Sequence, residues 1–116
     1  MRIVLLSAAL APFLLIVSPA SANDKVAAAL AAGAYDQAES AIQAELRIHP
    51  GRPELLLNLA VVYANTGREA QARTLYTQVL TQREVLMDVR ADKVASSHAI
   101  ATHGLQRIQA VQLSAR

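Results

Sequence analysis

Apolar residues recur through the middle of the chain at the three- and four-residue spacing of amphipathic α-helices. Pro53 suits the first turn of one such helix, because its missing N–H would have no partner there. Gly67 can end that helix in a left-handed conformation. A second helix is predicted over residues 69–83. The residues predicted to face inward are Leu56, Leu59, Ala60 and Tyr63 in the first helix, and Ala72, Leu75, Tyr76, Val79 and Leu80 in the second.

A looser copy of this pattern lies 34 residues upstream. The six residues that start at Gly33 resemble the six that start at Gly67, and several later pairs keep the same offset. A helix is therefore predicted over residues 35–49, ended by Pro50 and Gly51. Self-similarity at a fixed period of this length indicates a helical repeat protein. The later pairs are Gln37 with Gln71, Ala38 with Ala72, Ile42 with Tyr76, and Leu46 with Leu80.

These positions make the sequence similar to the tetratricopeptide repeat family. The resemblance runs through Leu56, Leu59, Ala60, Tyr63, Gly67, Ala72, Tyr76 and Leu80, with Gly33, Tyr35, Ala38, Leu46 and Pro50 as the second half of an earlier repeat. Leu56 stands where the family usually has Trp, and Ala60 where it usually has Gly. The resemblance implies an all-α fold of antiparallel helix-turn-helix repeats, a TPR-like α-solenoid. Its degenerate repeat would cover residues 23–50 and its good repeat residues 53–83.

The helical period lapses over residues 84–94. Val85, Met87 and Val89 alternate with other residues there, which fits either an irregular connection or a small hairpin with its turn at residues 90–93. Ser96 or Ser97 can then cap a last helix, within residues 95–116. We expect this helix to cap the solenoid, because helical repeats cannot bury their faces alone. Its predicted inward residues are Ala101, Leu105, Ile108 and Val111.

The first 22 residues have the pattern of an export signal. Arg2 is followed by an apolar run over residues 3–17, and residues 20–22 read Ala-Ser-Ala, which predicts cleavage after Ala22. A spanning helix needs about 20 apolar residues, and Pro12 interrupts this run, so an uncleaved membrane anchor is the weaker alternative. We therefore expect a periplasmic or secreted protein.

Composition and motifs argue against several classes of function. The 11 Lys and Arg residues and 9 Asp and Glu residues are interspersed, and aromatic residues make up only 3%, which does not favour nucleic-acid binding. His98 and His103 are five apart, whereas two metal ligands on one helical face need a spacing of three or four. The sequence has no motif of a catalytic nucleophile or a phosphate loop. We expect no enzyme, no cofactor and no metal.

A second face of the helix that starts at Pro53 is the candidate site. The resemblance implies that this face lines a concave groove in which a partner peptide lies. In the alternative interpretation, Leu57 and Val61 pack against the first helix, over residues 24–32, or against a second copy of the chain. The sequence thus predicts a non-catalytic scaffold that binds an unidentified protein or peptide. The alternatives are a structural homo-oligomer, such as a homodimer, and a membrane-tethered adaptor. The candidate groove residues are Glu54, Leu57, Asn58, Val61 and Asn65.

Overall fold

The structure is a computed structural model that describes residues 22–90 and 92–115. The expected export signal lies outside these ranges, apart from Ala22. Within them, no helix is long and apolar enough to cross a membrane. The elements of the described part are α1 Ala22–Ala31, α2 Tyr35–Ile48, α3 Pro53–Asn65, α4 Glu69–Leu80, β1 Leu86–Arg90, β2 Lys93–Ser96 and α5 Ser97–Ser114.

Helices that are consecutive in the chain pack on one another, from α1 on α2 through to α4 on α5, and α5 also contacts α3. Short turns join α1 to α2, α2 to α3, and α3 to α4, and the contact between α3 and α5 is the one between helices that are not consecutive in the described part of the chain. This arrangement confirms the all-α, TPR-like fold expected from the sequence. The two-stranded hairpin is a small addition to it.

The turns that follow α1 and α3 repeat each other at the 34-residue offset. Gly33 and Gly67 have φ of 73° and 78°, a left-handed conformation that glycine adopts without steric cost. The Ala34 N–H donates to the Ala29 carbonyl, and the Arg68 N–H donates to the Tyr63 carbonyl, both at 2.8 Å. A hydrogen bond across five residues, closed by a left-handed glycine, is the Schellman way of ending a helix. The predicted role of Gly67 is confirmed.

Helix α3 is buried on two sides, which explains why almost every residue in it is apolar. Leu55, Leu59 and Val62 belong to one core cluster, which is shared with α1 and α2. Leu56, Leu57 and Ala60 belong to another, which is shared with α4 and α5. The predicted inward stripe of α3 is thus correct but incomplete, because a helix packed on both sides has no single buried face.

The end of α4 differs from the sequence prediction. Helix α4 ends at Leu80 instead of residue 83, with Thr81 as its C-terminal cap. The chain then forms an antiparallel hairpin in which Met87 pairs with Ala95, and a bulge follows Asp88. Met87 packs against the cluster of α3, α4 and α5. Of the two alternatives for residues 84–94, the structure has the hairpin.

Helix α5 begins with a side-chain cap and is buried along one stripe. The Ala99 N–H donates to the Ser96 hydroxyl at 3.0 Å, so Ser96 is the capping residue of the two considered. Ala101 and Ile108 are buried as predicted, and Leu105 is half-buried. The inward prediction for Val111 is wrong, since this residue is 59% exposed. The buried stripe consists of Ser97, Ala101, Gly104 and Ile108, and Val111 lies beside it.

Candidate peptide-binding groove

A cavity of about 280 Å³ opens where α5 crosses the end of α3 and the start of α4. All three helices contribute because α5 contacts both α3 and α4. The lining residues are Val61, Ala64 and Asn65 from α3, Glu69 and Tyr76 from α4, and Ile100, His103, Gly104, Arg107, Ile108 and Val111 from α5. We call this cavity the α3–α5 groove.

The groove has Tyr76 at its base because Gly104 has no side chain. A β carbon placed at residue 104 would lie 2.3 Å from the Tyr76 Cζ atom, which is far inside van der Waals contact. The glycine therefore lets α5 approach the ring directly. Tyr76 is only 5% exposed. This burial raises the pKa of the Tyr76 hydroxyl, while the nearby positive charge of Arg107 acts in the opposite direction.

Apolar walls and a polar rim give the groove two kinds of surface. Ile108 is buried, Val61, Ala64 and Ile100 are half-buried, and Val111 is exposed at the opening. The polar side chains around them are Asn65, Glu69, His103 and Arg107. Small-molecule pockets generally hold about 300–1,000 Å³ and are mostly apolar with a few placed polar groups. This groove is slightly smaller, so it suits one large side chain of a partner protein.

The structure divides the five predicted groove residues. Val61 and Asn65 line the α3–α5 groove. Leu57 is only 4% exposed and lies in the core cluster of α3, α4 and α5, so it cannot contact a ligand directly. Asn58 is half-buried and is not part of the cavity lining. Glu54 is exposed and borders a different depression, beside the hairpin.

Asn65 is partly engaged by its own helix. Its side-chain amide donates to the Val61 carbonyl at 2.8 Å, which is one turn earlier in α3. The side-chain oxygen of Asn65 accepts no hydrogen bond from the described residues, so it keeps acceptor capacity for a ligand N–H. A partner backbone could use that oxygen, and the second N–H of the amide is also left as a donor.

The contribution of α5 to the groove is not part of the sequence prediction. Ile100, His103, Arg107 and Val111 follow one another at spacings of three, four and four, which places them on one helical face. This spacing indicates a second face of α5, beside the inward stripe predicted for a capping helix. A terminal helix that contacts two others necessarily has a second face beside its core stripe, and this face forms half of the groove.

The two charged side chains of the groove, Glu69 and Arg107, differ in whether an opposite charge lies beside them. Glu69 is the first residue of α4, where a carboxylate stabilises the positive end of the helix dipole. Helix α5 contains no Asp or Glu, so Arg107 has no acidic neighbour in its own helix. Across residues 22–90 and 92–115, no hydrogen bond or ion pair engages the Arg107 side chain. No group of three His, Asp or Glu residues in these ranges could hold a metal ion.

This fold and groove define a helical-repeat scaffold. A family model described as tetratricopeptide repeat matches residues 29–84, which run from the end of α1 to just beyond α4. The match confirms, over these residues, the resemblance to the tetratricopeptide repeat family seen in the sequence. Comparisons with curated proteins and with solved structures gave no match. Repeats of this family generally mediate protein–protein interaction.

Proposed function

We propose that this protein is a non-catalytic scaffold that holds a protein or peptide partner in the α3–α5 groove, outside the cytoplasm. The observation that carries the proposal is the groove itself, an open cavity on a repeat fold with accessible apolar walls and a polar rim. A partner segment could place an apolar side chain between Val61 and Val111 and form hydrogen bonds at Asn65 and Glu69. The groove residues of this proposal extend the predicted set from α3 to α5.

Two valines in the lining of the cavity, the half-buried Val61 and the exposed Val111, favour binding over a purely structural role for this face. Val111 is 59% exposed, whereas Ile100 and Leu105 of the same helix are half-buried and Ala101 and Ile108 are buried. Apolar surface that surrounds a concavity, with polar groups at its rim, is typical of interaction sites. A bound segment would remove this surface from water, at roughly 25 cal/mol per Å² of apolar area.

The proposed location rests on the pattern of residues 1–22. A positive residue, an apolar run and Ala-Ser-Ala before Asn23 are features of a cleaved export signal. The partner would then be another protein of the envelope or the secreted fraction. If the segment were retained, the same groove would belong to a membrane-tethered adaptor. N-terminal sequencing of the protein from its native host distinguishes the two forms.

A second candidate function, self-association, is favoured by a different surface. Ile48 is 66% exposed and Leu86 is 77% exposed, and both border the depression between the α2–α3 turn and the hairpin. A homo-oligomer could cover these side chains. Light scattering over a range of concentrations tests this alternative, because a monomer at every concentration excludes it as the main role.

The test of the proposal is site-specific photo-crosslinking of the full-length chain in its native host. A photoreactive residue at Val61 lies in the groove, and one at Gln71 lies on the exposed side of α4 outside it. One distinct envelope protein crosslinked from residue 61, but not from residue 71, supports the scaffold. Crosslinks to the chain itself support the oligomer. No adduct from residue 61 contradicts a functional groove.

A further inference from the structure

We propose that the partner segment carries a large apolar side chain next to a carboxylate, with the apolar group in the α3–α5 groove and the carboxylate on Arg107. This inference rests on the proposed function, because it names the chemistry of the partner that the groove holds. Two independent observations lead to it: the shape and lining of the cavity, and the uncompensated charge of α5.

The apolar part follows from the lining of the cavity. Tyr76 forms its base and Val61, Ile100 and Val111 its walls, so an inserted side chain meets aromatic and aliphatic surface. At about 280 Å³, the cavity can hold one large aliphatic or aromatic side chain. A small side chain would leave most of this surface in contact with water and would gain little from burial. The groove therefore favours Leu, Met or Phe over Ala.

The carboxylate follows from a comparison of the arginines near the groove. Arg68 donates two hydrogen bonds to the carboxylate of Glu39. Arg73 donates to the Gln112 side chain at 2.9 Å. The Arg107 side chain, in the groove lining, has no such partner among the described residues. Guanidinium groups bind carboxylates in a two-pronged geometry, and Arg107 is the arginine of the groove with that capacity unused.

No other charged side chain of the described groove lining pairs with Arg107 in place of a partner carboxylate. Glu69 is the acidic residue of the lining, and its position at the start of α4 couples it to the helix dipole. Within α5, Arg107 has no Asp or Glu beside it. Because no acid among the described residues pairs with its guanidinium, Arg107 favours a negative group on the partner.

A panel of synthetic peptides tests the inference with the full-length chain. Each peptide is seven residues of Ser and Gly around a central pair, capped at both ends, so that no terminal carboxylate is present. The central pairs are Leu-Asp, Leu-Asn, Leu-Lys and Ala-Asp, and binding is measured by fluorescence anisotropy of a labelled peptide. We expect Leu-Asp to bind about fivefold more tightly than Leu-Asn, as for a partly exposed ion pair. Leu-Lys and Ala-Asp should bind more weakly than Leu-Asp.

Three variants assign the preference to Arg107. Arg107→Gln should bind Leu-Asp and Leu-Asn equally. Arg47→Gln, which removes an exposed arginine of α2 outside the groove, should keep the preference of the unchanged protein. Val111→Asp should reduce the preference as well, because it places a carboxylate one helical turn from Arg107, where the two side chains can pair. Val111 is exposed, so this change should leave the melting temperature nearly unchanged.

The outcomes separate this inference from the proposed function. Equal binding of Leu-Asp and Leu-Asn by the unchanged protein overturns the role of Arg107. If no peptide binds but residue 61 crosslinks one envelope protein in cells, the partner chemistry is wrong and the scaffold proposal stands. If no peptide binds and no crosslink forms, both are wrong.

Discussion

The ring of Tyr76 lies against the backbone of Gly104, at a distance that leaves no room for a β carbon. A methyl group at residue 104 would fall 2.3 Å from Cζ and 2.6 Å from Cε1 and Cε2 of the ring. This contact joins the middle of α4 to the middle of α5 and forms the base of the α3–α5 groove. Stability and the shape of the candidate site thus depend on the same pair of residues.

Gly104→Ala is expected to destabilise the protein by about 1–3 kcal/mol, because the added methyl group overpacks the contact with Tyr76. The sign of the change in the free energy of unfolding is informative. In an unobstructed helix interior, alanine is about 1 kcal/mol more favourable than glycine, so the variant would be more stable there. Urea unfolding monitored by circular dichroism measures the change. A stability equal to or above that of the unchanged protein would contradict the close contact.

Two further variants control this experiment. Gly51→Ala introduces a methyl group that would meet only the Gln82 Nε2 atom, at an ordinary 3.9 Å, and it should have a small effect. In a Tyr76→Leu background the ring is absent. Gly104→Ala should then lower the free energy of unfolding by less than it does in the protein with tyrosine at residue 76. A double-mutant cycle over these two positions reports their coupling.

The ion pair between Glu39 and Arg68 is expected to make stability depend on pH in the acidic range. Hydrogen bonds from the Arg68 guanidinium hold the pKa of the Glu39 carboxyl below its ordinary value of 4.5. The folded protein then binds the proton less readily than the unfolded chain does. The stabilisation is complete above the ordinary pKa and is lost as the pH falls through the lower, folded-state pKa.

Urea midpoints at pH 7 and pH 3 measure this dependence for the unchanged protein and for Glu39→Gln. The unchanged protein should be more stable than Glu39→Gln at pH 7, and the difference between their urea midpoints should be smaller at pH 3. Because both side chains are partly exposed, at 34% for Arg68 and 21% for Glu39, the effect should be modest and reduced by salt. A gap that is the same at both pH values would show that the charge of Glu39 is not the cause.

The repeat could be predicted from the sequence because it is local. Gly33 and Gly67 end helices through bonds that stay within six residues, and the apolar period shows which helical faces are covered. The Tyr76–Gly104 contact joins residues 28 apart, and nothing in the spacing of either helix indicates it. The exposure of Val111 has the same origin, since it depends on where α3 lies relative to α5.

The candidate site was predictable in part for the same reason. Val61 and Asn65 could be placed on one face of α3 from their spacing, and the family resemblance implied that this face lines a groove. Leu57 shares that face in the helical pattern, yet it is buried, because α5 lies across it. The residues of α5 could not be assigned to the groove until the crossing of the two helices was known.

Ser97→Ala is expected to destabilise the junction between the hairpin and α5 by about 1–3 kcal/mol. Ser97 is fully buried. The Val85 N–H donates to its hydroxyl at 3.0 Å, and its own N–H donates to the Val85 carbonyl at 2.8 Å. The variant leaves the Val85 N–H without its side-chain acceptor. Amide hydrogen exchange at Val85 should rise more than exchange in α2, and an unchanged rate there would contradict this role.

Deletion of residues 97–116 is expected to unfold the domain. The loss of α5 takes Ala101 and Ile108 out of the core cluster and exposes the surfaces of Leu57, Tyr76 and Val79 that they cover. Among the described helices, none other than α5 covers that end, and the units of a repeat array are stable only when stacked. Thermal unfolding followed by circular dichroism should lose its cooperative transition. Deletion of residues 113–116 is the matched control. Leu113, Ser114 and Ala115 are exposed, so this deletion should leave the melting temperature within a few degrees of the full chain. A cooperative melt that survives the longer deletion would show that the repeats fold without α5, and α5 would then serve only the groove.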